Sequence, residues 1–205
     1  MSNHYYSEKP QVESQREQID DEINGEVFKF TVDRGVFSRK GVDFGSKLLI
    51  ETFDDESLVD GPIADVGCGW GPIGIALAKA YRERTMYMFD INERAVELST
   101  ENAKSNQVKN VKIEPNNLLD GQSNAFFAAI VSNPPIRAGK DIVFKLYEQA
   151  VKSLKLEGEL WLVIQKKQGA ASTVKKLEEL GLDVNVLKKS KGYQIIRGKK
   201  IDSES

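Results

Sequence analysis

The chain has 205 residues, 40% of them hydrophobic and 29% charged, with a formal net charge of −2, a length that favours one well-filled α/β domain over two. Its one cysteine, Cys68, and one histidine, His4 in an end expected to be mobile, exclude an internal disulfide, a zinc site and a Ser-His or Cys-His nucleophile, and a lone thiol suits a reducing cytosol. No run of 18 apolar residues exists, so no transmembrane helix is expected, and residues 1–6 lack the basic and apolar regions of a signal peptide.

Residues 1–24 are polar and without apolar periodicity, and read as a loose lead-in; residues 1–26 hold seven acidic against two basic side chains. Residues 26–32 alternate like a strand, Asp33-Arg34-Gly35 supplies a turn, and 36–38 resume the extended pattern, which predicts a β-hairpin. Asp43-Phe44-Gly45-Ser46 leads into a short helix over 47–53. Strands and helices then alternate: a strand at 63–66, a helix at 71–81 and a strand at 85–89 ending in Asp90. A helix over 92–105 follows, with Asn92 as N-cap, then strands at 108–113 and 126–132. A helix over 141–154, a strand at 159–164, a helix over 171–180 and an antiparallel pair at 183–188 and 193–197 complete the order.

This alternation predicts an α/β fold: a Rossmann-like, doubly wound, mostly parallel seven-stranded sheet with a C-terminal antiparallel strand pair and an N-terminal β-hairpin extension. The expected organisation is a lead-in over 1–24, hairpin and short helix over 25–58, the main domain over 59–200 and a tail over 201–205. In such sheets ligands bind outside the carboxyl ends of the strands, where strand order reverses.

The first of these strand ends is Asp65-Val66-Gly67-Cys68-Gly69-Trp70-Gly71-Pro72-Ile73-Gly74. Its glycines allow a tight turn and close approach to a ligand. Gly69 to Gly74 also matches the dinucleotide spacing, but a carboxylate immediately before the glycines opposes a pyrophosphate and suits a cationic amine. Asp90, at the end of the second strand, suits ribose hydroxyls. Together, Asp65 and Asp90 point to a ribonucleoside with an amino-acid tail, S-adenosylmethionine. At the fourth strand end, Ser132-Asn133-Pro134-Pro135-Ile136 stops the sheet, because neither proline can donate to the ladder.

On these residues, and on Gly35-Val36-Phe37-Ser38, Asp43-Phe44-Gly45-Ser46, Asn116-Asn117-Leu118 and Lys191-Gly192-Tyr193, the chain resembles the class I S-adenosylmethionine-dependent methyltransferases. More narrowly it resembles the RsmC-type family, which methylates the 2-amino group of guanine in small-subunit (16S) ribosomal RNA, over residues 4–200. The resemblance implies that Gly67 and Gly69 pass under the methionine part with Asp65 near its amine. It implies that Asp90 takes the ribose hydroxyls and that Asn117 lies beside the adenine. Larger members carry a second, degenerate domain before this one; a single-domain form is expected here. Ile136 stands where many such enzymes have an aromatic residue.

The chemistry expected of Asn133-Pro134-Pro135 follows from the weakness of an exocyclic amine as a nucleophile. The Asn133 side-chain oxygen and the Pro134 carbonyl would accept its two N–H bonds, favour pyramidal nitrogen and stabilise the positive charge that develops. The prolines hold these acceptors in place, and Ile136 offers an apolar face to the base. Phe37 is a candidate cover for methionine or base, with a core plug as the alternative; Asp43 and Ser46 either close over the cofactor or cap a helix. Residues 160–200 hold ten Lys or Arg against Glu178, Glu179 and Asp183, so Lys166, Lys167 and Lys191 are either phosphate contacts or a solvated face. The expected partner is RNA, with no membrane, no metal and a cytoplasmic location; oligomeric state is not legible. Other readings left open are methylation of adenine or a protein glutamine amide, a silent S-adenosylmethionine-binding module, and a nicotinamide-dependent dehydrogenase.

Overall fold

The computed structural model describes residues 8–202; His4 and positions 203–205 lie outside them. Two antiparallel strands, β1 (Glu17–Ile23) and β2 (Glu26–Val32), form a separate hairpin. Helix α1 (Phe44–Thr52) precedes the main alternation of β3 (Ile63–Val66), α2 (Pro72–Ala80), β4 (Met86–Asp90), α3 (Glu93–Ser105), β5 (Val111–Pro115) and β6 (Phe127–Ser132). Then follow α4 (Lys140–Ser153), β7 (Leu154–Gln165), α5 (Ala170–Glu179), β8 (Leu182–Ser190) and β9 (Tyr193–Lys200). The seven-stranded sheet has the order β5-β4-β3-β6-β7-β9-β8, with only β9 antiparallel to its neighbours. This is the predicted fold class.

The hairpin is built differently from the sequence expectation. Its turn is Asn24-Gly25, both at positive φ (51° and 76°), and Ile23 pairs with Glu26 across a two-residue loop. That is the mirror-image turn a right-twisted hairpin favours. The first strand therefore lies inside the stretch read as lead-in, because Glu17-Gln18-Ile19-Asp20-Asp21-Glu22-Ile23 buries only Ile23 fully. Asp33-Arg34-Gly35 does not join two strands. The buried Asp33 accepts from Ser14 Oγ and the backbone N–H of Gln15 and Arg34. Burial opposes the Asp33 charge, but these donors and nearby Arg94 outweigh it and hold its carboxyl below the usual range.

Strand order reverses between β3 and β6, so the crevice opens at their carboxyl ends. There Ser132 Oγ donates to the Val66 carbonyl at 2.7 Å, tying the two ends together. At its centre, in β3, β6 and β7, the sheet is buried on both faces, and these strands divide with a period of two. Val131, Trp161 and Val163 pack in the cluster containing α1, α2 and the hairpin, whereas Ile130, Leu160 and Leu162 pack in that containing α4 and α5. Among the described residues no helix is long and apolar enough to cross a membrane.

Two asparagines, Asn102 on α3 and Asn106 capping its C-terminus, hold the hairpin in place. Asn102 accepts from Thr31 N and donates to Thr31 O and Trp70 O, while Asn106 accepts from Lys29 N and donates to Lys29 O. Four residues of helix rise about 6 Å and two residues of strand about 6.8 Å, so the two side chains read alternate residues of β2 as another strand would. Asn102→Ala leaves three buried backbone groups unpaired and should cost about 3 kcal/mol. Urea denaturation checks this as a lower midpoint at unchanged m-value; a loss under about 0.5 kcal/mol would contradict it.

Candidate active site

A cavity of about 890 Å³ opens at the reversal point. It is walled by the glycine loop after β3, the end of β4, the turn after β6, residues 34–39, and the tips of β7 and β9. Gly67, Gly69 and Gly71 all have positive φ (73°, 57° and 100°), but their surroundings differ. A Cβ at Gly67 or Gly69 would meet nothing within 4 Å, so the loop backbone lies bare toward the cavity. At Gly71 a Cβ would come within 2.7 Å of Ile75, and at Gly74 within 2.8 Å of Met88. The later glycines therefore let α2 pack on β4, and the earlier ones leave room for a ligand.

Asp90 holds this loop. Its carboxylate accepts from Gly69 N at 2.8 Å and Asn92 N at 2.9 Å. Burial raises its pKa, and those two hydrogen bonds oppose the rise. Each carboxylate oxygen keeps a further lone pair for a ligand hydroxyl. Asp65 sits beneath the loop rather than on the cavity wall, 1% exposed. One of its oxygens accepts from Gly74 N at 2.9 Å; the other, Oδ1, is buried without a hydrogen-bond partner among the described residues. Burial, with the Asp90 charge added, pushes its carboxyl up to about 7. A bare glycine cradle, a carboxylate at the second strand end and an orphaned buried oxygen fit a nucleoside with a cationic tail. Cys68 is buried, and burial above all, with Asp90 and Asp65 nearby, keeps its thiol protonated.

Beyond β5 the wall is formed by Asn116 and Leu118 rather than by Asn117, on which the sequence expectation fell. Asn116 spends its amide on the Leu118 and Asp120 carbonyls, closing this loop, and Leu118 has a positive φ of 53°. Phe37 is no core plug: the residue is 50% exposed at the cavity rim, while its carbonyl accepts from Trp70 Nε1 at 2.7 Å.

The Asn-Pro-Pro turn is tightly specified. Pro135 (φ −76°, ψ 70°) centres an inverse γ-turn in which Ile136 N donates to the Pro134 carbonyl at 2.8 Å. One lone pair of that carbonyl is thus used and the other remains. Asn133 Nδ2 donates to Ser46 Oγ at 3.2 Å and Asp43 Oδ2 at 3.4 Å. Asp43 is the N-cap of α1, accepting from Ser46 N and Ser46 Oγ. Capping and contact with Asn133 are therefore one arrangement, which the sequence reading missed. With its amino group held by α1, Asn133 has Oδ1 free of partners among the described residues. Ile136 lines the cavity and packs on the α4 side of the core. Lys166 is exposed on the turn after β7, its N–H bonded to the Gly192 carbonyl. Among the described residues no group of three His, Cys, Asp or Glu could hold a metal ion.

A family model described as methyltransferase small domain matches residues 27–197. The uncharacterized protein YbxB of Bacillus subtilis is 54% identical over 98% of this chain and 100% of its own length. The ribosomal RNA small subunit methyltransferase C of Escherichia coli is 34% identical over 63% of this chain, which spans only 38% of that relative. A solved structure titled T. thermophilus 16S rRNA N2 G1207 methyltransferase, in complex with AdoMet and guanosine, superposes with a TM-score of 0.78. It is 23% identical, over 93% of this chain and 52% of that one, and shows the shared fold.

The raised pKa of Asp65 has a measurable consequence. Between pH 3.8 and about 7 the folded chain keeps a proton that the unfolded chain releases, so this group lowers stability as pH rises through that window. In thermal melts without ligand from about pH 5 to about pH 8, Asp65→Asn should gain stability relative to wild type as pH increases. A wild-type-to-variant difference independent of pH would contradict the assignment.

Proposed function

The chain belongs to the methyltransferase small domain family, and from that premise we propose that it transfers a methyl group from S-adenosylmethionine to the 2-amino group of guanine in small-subunit ribosomal RNA. The observation that carries this reading is the pinned carboxamide of Asn133. Its amino group is engaged by Ser46 and Asp43, leaving an acceptor oxygen at the cavity end of β6. Beside it, the γ-turn fixes the Pro134 carbonyl, a second acceptor. Two fixed acceptors suit the two N–H bonds of an amine. They favour a pyramidal nitrogen whose lone pair points away from them, and they stabilise the cation as the bond forms. The surplus proton leaves to solvent afterwards, so no histidine or other base is required of this site.

The bound cofactor supplies an electrophilic methyl group on a sulfonium sulfur. Gly67 and Gly69 leave the backbone bare to its methionine part, and Asp90 has lone pairs for ribose hydroxyls. The Asp65 oxygen without a partner supports a cationic group above the loop. Phe37 and Ile136 offer apolar surface to a base entering from the rim. The small-subunit methyltransferase similarity supports ribosomal RNA as the substrate.

Charge at the rim supports a polyanionic partner. Away from the cavity most lysines of the C-terminal region are engaged: Lys176 pairs with Glu148, Lys199 with Glu157, and Lys200 donates to the Val151 and Leu154 carbonyls, while Lys175 on α5 is exposed. At the cavity end Lys166, Lys167, Lys188 and Lys189 are exposed and have no ion pair among the described residues. Arg137, on the cavity wall after β6, is likewise exposed.

Two experiments test this reading. Asn133→Ala should slow methyl transfer to unmethylated small subunits by about two to three powers of ten, with RNA affinity nearly unchanged. A folded, fully active Asn133→Ala would remove the mechanism; transfer only to large subunits, or to none, would remove the substrate. Lys166→Ala with Lys167→Ala should weaken RNA binding and flatten its salt dependence by about one to two units of slope, cofactor affinity being unaltered. An unchanged slope would leave these lysines as ordinary surface.

A further inference from the structure

A second carboxamide lines the cavity in the same arrangement as Asn133. Gln165 is the last residue of β7, the strand beside β6, and β6 and β7 run parallel with Ser132 opposite Leu162. Its side chain therefore lies at the same end of the sheet as Asn133, half-buried on the cavity wall. Gln165 Nε2 donates to the Tyr193 hydroxyl at 2.8 Å, and Gln165 Oε1 has no partner among the described residues.

Tyr193 is itself immobilised. It pairs with Gln165 across β9, and its ring lies tilted against Phe44 at 5.6 Å. A Cβ on Gly45 would come within 2.7 Å of that ring. The first turn of α1 thus holds both carboxamides: Asn133 through Asp43 and Ser46, and Gln165 through Tyr193. Each is held by its amino group, and each has its oxygen left over.

Two acceptor oxygens at one end of one cavity select substrates by donor pattern. An exocyclic amine held by Asn133 has a ring neighbour that either carries a hydrogen or does not. The 2-amino group of guanine stands beside N1–H, a second donor. The 6-amino group of adenine stands beside two bare ring nitrogens, the 4-amino group of cytosine beside one, and a glutamine amide beside its own carbonyl oxygen. An acceptor beside the amine site meets a donor only in guanine and meets a lone pair in the others. We infer that Gln165 is the specificity-determining residue of this site, its Oε1 accepting the N1–H of guanine, and that Tyr193 is the positioning residue that turns this oxygen toward the base. This inference rests on the reading of Asn133 as the holder of the amine, and it assigns the choice of base to a different strand.

The test first maps the position methylated in unmodified ribosomal RNA. Fragments carrying guanosine or 2-aminopurine riboside there are then compared as methyl acceptors; the analogue keeps the amine but has a bare N1. Wild type should favour guanosine by about tenfold or more in kcat/KM. Gln165→Leu should bring that ratio toward one, mainly by loss on guanosine. Gln165→Glu, which keeps an acceptor oxygen, should preserve the preference, and Tyr193→Phe should reduce it in part with cofactor affinity unchanged. Failure to methylate any guanine would end the proposed function itself. Methylation of guanine with a wild-type ratio near one, with the full ratio kept by Gln165→Leu, or with the preference lost in Gln165→Glu, would overturn only the role of Gln165.

Discussion

Asp43 accepts from Ser46 twice, through its N–H at 3.1 Å and its hydroxyl at 2.7 Å, and so starts α1 where its first turn faces the ends of two parallel strands. Much of the site depends on that placement. The same carboxylate and hydroxyl take the amino group of Asn133, and the next two residues, Phe44 and Gly45, form the bed on which Tyr193 lies. A helix cap ordinarily satisfies orphan N–H groups of its own helix. Here it also orients a side chain ninety positions along the chain.

Parallel strands make such an arrangement possible. Because β3, β4, β6 and β7 run the same way, the Gly67 loop, Asp90, Asn133 and Gln165 emerge at one end, although 98 residues separate Gly67 from Gln165. The helices then fill the faces, and the reversal of strand order at β3 and β6 keeps the crevice from being covered. A second concavity, of about 550 Å³, lies at the opposite ends of the strands. Its Arg84 is consumed by Asp55 and by the carbonyls of Val59 and Gly61, so it closes loops.

Polar groups are used economically in the cavity wall. Asp90 both ties the glycine loop and faces the cavity, and the Pro134 carbonyl both closes a γ-turn and remains an acceptor. The buried Asp65 oxygen is the one loop carboxylate atom without a protein partner among the described residues. Its cost is borne in the ligand-free protein and is reduced by a cationic ligand.

The alternation of strands and helices was legible because apolar period and glycine punctuation are local properties. So were the loop after β3, Asp90, the Asn92 cap and the stop at Asn-Pro-Pro. The strand Glu17–Ile23 was hidden because its outer face is solvated and its few apolar residues give no alternation, although Asn24-Gly25 announced the turn. Asn102 and Asn106 are polar residues at the end of a helix, and nothing local says that they lie against the edge of β2. Gln165 carries no local signal, since a carboxamide means nothing until its amino group is occupied by a known partner, here the Tyr193 hydroxyl. The order of elements and the chemical groups at each strand end follow from local sequence alone. Which oxygen of each group is left over does not, because the hydrogen bonds from α1 and β9 arise between segments that meet solely when the sheet is closed.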